Sequence, residues 1–90
     1  MLRFKKESPK VYTARLRCAR TDIYGRRFRS DDAVRMIKER DHWYTDKTTA
    51  VAGAWMPWES VIVDNKKRWK SLDEAKAALN EYARECGAED

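Results

Sequence analysis

Glycine, proline, cysteine and histidine are all scarce in this chain of 90 residues, which holds three, two, two and one of them respectively. So few glycines leave little material for a phosphate-cradling loop, and neither G-x-x-x-x-G-K nor G-x-G-x-x-G occurs. The hydrolase signatures G-x-S-x-G and H-E-x-x-H are missing too. So are an RNP-type aromatic motif and the GXXG loop of KH domains. The lone histidine, His42, has Asp41 and Asp46 near it in sequence, but acid–base catalysis needs a second group at hydrogen-bond distance in a polar pocket. It reads as a surface residue. One histidine and two distant cysteines make no recognised metal site, so neither metal nor cofactor is expected.

Cys18 and Cys86 form no C-x-x-C pair and no disulfide scaffold, and both read as reduced, buried thiols. Cys18 falls on the inward side of a strand pattern, which argues against a nucleophile. Long apolar runs are lacking as well. Nothing approaches the length of a membrane span, and Met1-Leu2-Arg3-Phe4-Lys5-Lys6 leads into charge rather than a signal-peptide core. The expectation is a cytoplasmic protein without membrane contact and without catalysis.

Charge and aromatic side chains are plentiful. Charged residues make up 39% of the chain against 42% hydrophobic, enough apolar material for one small domain, 1–90, under a very polar coat. The net charge of +5 is unevenly spread. Residues 1–45 hold 13 Lys/Arg against 6 Asp/Glu, while residues 46–90 hold 7 against 9. Between Lys10 and Arg29, seven basic residues face a single acid, Asp22, which makes a local positive patch.

From Val11 to Ala19 the chain alternates, with Tyr12, Ala14, Leu16 and Cys18 on one side and Thr13, Arg15 and Arg17 on the other, the pattern of a half-buried strand. Thr21-Asp22 offers a turn, and Ile23 to Phe28 can return antiparallel. Ser30 with Asp31 and Asp32 resembles a helix cap, and Ala33, Val34, Met36 and Ile37 would give the short helix that follows an apolar face. The stretch from Asp41 to Trp58 is the least readable and is expected to hold one or two strands and a loop. Asp64-Asn65 has turn chemistry for a hairpin returning through Trp69. Ser71-Leu72-Asp73-Glu74 satisfies the S-x-x-E capping box, Leu72, Ala75, Leu79, Tyr82 and Cys86 recur at helical spacing, and Gly87 suits a left-handed stop. Residues 1–9 and 87–90 are expected to be flexible termini.

The segment Arg27-Phe28-Arg29-Ser30 with its acidic followers echoes Arg68-Trp69-Lys70-Ser71 with its own. The resulting expectation is an α+β fold, an antiparallel sheet with two helices packed on one face, built as two β-hairpin-plus-helix units or merely solving the same capping problem twice. The run from Trp69 to Ala75 is similar to one in the arm-type DNA-binding domains of tyrosine recombinases. Over those seven residues the resemblance implies a three-stranded sheet before the helix, entering the major groove, but three clear strands with basic and polar readers are not evident directly before Ser71.

The expected function is a non-enzymatic binding module whose arginine face, Arg15, Arg17, Arg20, Arg26, Arg27 and Arg29, engages nucleic acid or a nucleoprotein complex, because guanidinium forks bind phosphates and displace counterions. Trp55 and Trp58, flanking Met56-Pro57, are expected to form an exposed aromatic patch, whereas Trp69 is expected in the core. The alternative is a small protein-interaction inhibitor or adaptor of the phage or mobile-element type, anti-CRISPR inhibitors among them, docking on an acidic protein surface. Open strand edges would also allow a homodimer across a two-fold axis.

Overall fold

The computed structural model describes residues 1–87. Its backbone is a consecutive antiparallel meander of four strands, β1 (Lys5–Ser8), β2 (Val11–Thr21), β3 (Arg27–Glu39) and β4 (His42–Val51). The next stretch runs back along the outer edge of β4 as a strand broken into three pieces, β5 (Ala54–Trp55), β6 (Glu59–Ser60) and β7 (Arg68–Trp69). One helix, α1 (Leu72–Glu85), completes the fold. The sheet curls into a half-barrel.

The α+β arrangement with two helices is therefore overturned, and with it the pair of hairpin-plus-helix units: the protein is mostly β, and the segment read as the first helix is the middle of the longest strand. Ser30 does not cap anything. Its side chain and those of Asp32, Val34 and Met36 all point to the buried face of β3, a period of two that two polar residues disguise. The outward-facing Ala33 and Ile37 then complete a false helical stripe. What makes the strand acceptable is that the buried Asp32 is met by Arg20 and Ser30.

One face of the sheet is covered by α1. Ala14, Leu16 and Cys18 of β2, Val34 and Met36 of β3, Trp43 of β4, and Val61 and Val63 meet Ala75, Ala78, Leu79 and Ala83 of the helix in a single cluster. A fully buried Leu79 or Met36 side chain each contributes about 2 kcal/mol by area removed from water. Trp69 packs against the same cluster, and its Nε1–H donates to Thr45 Oγ1 at 3.3 Å while that hydroxyl donates to the Val61 carbonyl at 3.0 Å. Tyr12 meets Trp43 edge to face with 5.8 Å between centroids.

The helix starts where the capping box predicts. Ser71 is extended and its hydroxyl accepts from the Glu74 N–H, while Glu74 Oε2 accepts from the Lys70 N–H at 3.1 Å. At its other end Gly87 takes a φ of +70°, and the Cys86 carbonyl accepts from the Ala19 N–H at 3.1 Å. That bond ties the helix end to the free edge of β2. The first nine residues, expected as a flexible terminus, carry β1, and the Leu2 N–H donates to Asn80 Oδ1 of the helix at 2.8 Å. The expected frayed tail lies, from residue 88 onward, outside the described residues.

The turns follow their chemistry. Asp64 and Asn65 both have positive φ, 52° and 61°, closing a turn on the bridge between Val63 and Lys66. No helix among the described residues is long and apolar enough to cross a membrane.

Candidate nucleic-acid interface

Strand alternation sends every second residue of β2 and β3 to the face opposite α1, and arginines occupy much of it. Arg15, Arg17 and Arg35 lie on this open face, joined from the broken edge strand by Trp55 and Trp58. Arg35 is the best anchored. Its Nε donates to Asp46 Oδ2 at 2.9 Å from the neighbouring strand, and its guanidinium lies 4.3 Å from the centroid of Trp58. Arg15 stands 5.4 Å from the centroid of Trp55 and makes no ion pair among the described residues. Arg17 is paired with Asp31 at 3.4 Å, with both side chains about two-thirds exposed, an attraction that water and salt weaken.

Pairing of β3 with β4 stops at Asp32, whereas pairing of β2 with β3 continues to Thr21 and Arg27. Beyond that point the sheet narrows to a two-stranded ribbon, tied at Ala19 to the helix end, and the arginines crowd onto it. Arg27 is exposed. Arg26 sits at the tip, where Asp22 organises the turn: Asp22 Oδ1 accepts from the N–H groups of Tyr24 and Arg26, both at 2.9 Å, and Asp22 Oδ2 accepts from Arg26 Nε at 3.2 Å. Gly25, with φ +79°, supplies the backbone conformation that this turn demands. Ile23 and Tyr24 protrude there, 91% and 75% exposed, with the Arg26 guanidinium over the Tyr24 ring. Arg29 reaches back toward the end of α1, donating to the Gly87 carbonyl at 3.4 Å.

Arg20 does not belong to this surface. It shares strand parity with Ala14, Leu16 and Cys18, so it turns to the covered side, where Nε donates to Ser30 Oγ at 2.7 Å and NH2 to Asp32 Oδ2 at 2.8 Å. Ser30 Oγ donates in turn to Asp32 Oδ1 at 2.7 Å. Burial works against the Arg20 charge, but the hydrogen bond and attraction to Asp32 outweigh it and raise its pKa. Arg20 is thus a structural cation that neutralises a carboxylate only 2% exposed.

The same pocket holds the thiol of Cys18. Burial first, then hydrogen bonding with Cys86 and Asp32, pushes its pKa far above the ordinary thiol value, and burial raises Tyr82 in the same way. A thiol held in its neutral form is a poor nucleophile. Among the described residues no group of three or more His, Cys, Asp or Glu side chains is placed to hold a metal.

Between the two faces the structure thus sorts the eight residues singled out by sequence. Arg15, Arg17, Trp55 and Trp58 come together on the open face, Arg26 and Arg27 extend the positive surface to the ribbon tip, Arg29 lies at the helix end, and Arg20 is withdrawn. Arg35 was missed because its segment read as a helix. Parity would have found it: Arg35 is an even number of residues from Asp31 and Ala33 and opposite in phase to Val34 and Met36. Trp55 and Trp58 are 45% and 36% exposed and make an aromatic ledge along Arg15 and Arg35. A pocket of about 500 Å³ opens on this side, lined by Arg15, Arg17, Asp31, Ala50, Gly53 and Trp55 among others. No protein-family model, no curated protein and no solved structure matches this chain.

Proposed function

We propose that this protein is a non-enzymatic binding module that engages nucleic acid, or a nucleoprotein complex, through the arginine-bearing β2–β3 hairpin. The observation that carries the reading is the two-stranded ribbon that runs on past Asp32, which bears Arg17, Arg26, Arg27 and Arg29 against Asp22 and Asp31. A two-stranded ribbon fits the width of a B-DNA major groove, and exposed guanidinium groups along it bind phosphates by displacing counterions. Sequence-independent binding with a steep salt dependence is the expected behaviour.

Fluorescence anisotropy of labelled DNA and RNA across a salt series tests this. Replacing Arg17 and Arg27 together by alanine is expected to weaken binding to every sequence and to lower the slope of log affinity against log salt by about 2, since each of the two arginines neutralises one phosphate. Unchanged affinity and slope would remove the ribbon from the interface.

The ledge of Trp55 and Trp58 favours a second reading, a protein-interaction inhibitor or adaptor. Association through that ledge would be far less sensitive to salt than association through the ribbon.

A further inference from the structure

Arginine and lysine side chains lie over aromatic rings at several places around the sheet, and the two pairs on the open face contrast with each other. Arg35 lies 4.3 Å from the Trp58 centroid and is fixed by Asp46, so that pair is closed. Arg15 stands off Trp55 at 5.4 Å, with no ion-pair or hydrogen-bond partner among the described residues. Beside that loose pair lies the 500 Å³ pocket, whose charged side chains include Arg15, Arg17 and Asp31. Its floor is small, with Ala50 at the sheet and Gly53 at φ +81°, where nothing within 4 Å would meet an added Cβ. A flat aromatic surface, an open approach and the guanidinium of Arg15 therefore share one depression.

Resting on the nucleic-acid reading above, we propose that this depression takes an unpaired base of a single-stranded nucleic acid, stacked on Trp55, with Arg15 and Arg17 holding the flanking phosphates. The chemistry selects this occupant. A purely apolar ligand would leave the Arg15 guanidinium without counter-charge and the exposed Arg17–Asp31 pair unused, and an isolated phosphate would make no use of the indole. A nucleotide satisfies both, since every base has a π-face and every linkage an anion. A base inside a duplex cannot reach Trp55, because its faces are occupied by its neighbours in the stack. The site therefore discriminates by strandedness and not by sequence, and it leaves the ribbon to bind backbone in either form.

The test compares a labelled single-stranded 12-mer, the same 12-mer with abasic sites throughout and a blunt duplex, at fixed low salt. The intact protein is expected to bind the base-bearing strand about tenfold more tightly than the abasic strand. Trp55→Ala is expected to erase that difference, Trp55→Phe to retain most of it, and both to leave duplex affinity within about twofold. Equal affinity of the intact protein for base-bearing and abasic strands would overturn the stacking site while salt-dependent binding of both preserves the arginine interface. Absence of binding to all three probes would overturn the interface and the stacking site together. Because the abasic comparison is made on the unaltered protein, a folding defect in Trp55→Ala does not decide the outcome.

Discussion

Arg17 and Arg20 sit three residues apart on one strand, and the sheet gives them opposite employment. Arg17 looks out from the open face, where its partner, Asp31, is as exposed as itself. Arg20 looks into the covered face, where it is the counter-ion of an aspartate shut away from water. The residue type is the same, so the difference comes wholly from parity and from what the helix covers. An arginine is a ligand-binding group only when its hydrogen bonds are not already taken by the fold, and on this protein that condition separates Arg15, Arg17 and Arg27 from Arg20.

The contrast is easiest to break in stability measurements. Arg20→Ala leaves the Asp32 carboxylate buried with only the Ser30 hydroxyl and the Cys18 thiol beside it, and the expected loss is about 2–3 kcal/mol, reduced from that of a fully buried pair because Arg20 itself is partly in water. Urea unfolding checks it. Arg17→Ala in the same assay is expected to stay within about 0.5 kcal/mol. Similar losses for the two would mean that the two faces do not differ in how they use arginine.

The covered face should also announce itself in alkali. Because the folded state holds the Cys18 proton more tightly than the unfolded chain does, this contribution is complete below the ordinary thiol value of 9.0 and declines as the pH climbs above it. The expected fall is about 1.4 kcal/mol per pH unit for one such group, with Tyr82 adding to it above its own ordinary value of 10.0. Denaturation midpoints from pH 8 to pH 11 measure the slope, and Cys18→Ala is expected to flatten its first part. A flat profile in the unaltered protein would contradict the burial of that thiol.

A more modest loss belongs to the junction that aims the helix onto this face. Ser71→Ala removes the hydroxyl that accepts from the Glu74 N–H and is expected to cost about 1 kcal/mol, read in the same unfolding experiment. Binding by the open face is expected to persist, since neither the arginines nor the tryptophans of that face touch Ser71.

What could be read in advance followed from local chemistry. The S-x-x-E box announced α1, the alternation from Val11 announced β2, and Asp64-Asn65 announced its turn, because each signal is complete within a few residues. β3 failed because its inward positions are Ser30 and Asp32, which only a residue ten or more positions away makes tolerable: Arg20 must be in place before an aspartate can face a core. The same blindness misplaced Arg20 and hid Arg35. On the open face, the exposure of Trp55 and Trp58 was foreseeable from the Met56-Pro57 interruption, but their pairing with Arg15 and Arg35 was not, since the broken strand had first to be laid along β4.

The order of the strands carries a consequence for how the molecule forms. β1 through β4 pair each with its predecessor, so the meander can assemble by successive closure of short loops, the regime in which chains fold quickly. The attachments of α1 are of another kind. The Leu2 N–H to Asn80 and the Ala19 N–H to the Cys86 carbonyl join distant parts of the chain, and loop-closure entropy must be met before either bond forms. The hairpin that carries the arginines is therefore assembled early, out of neighbours in sequence, whereas the helix that gives it a back wall arrives last. A nascent chain would present its basic ribbon before its hydrophobic face is sealed.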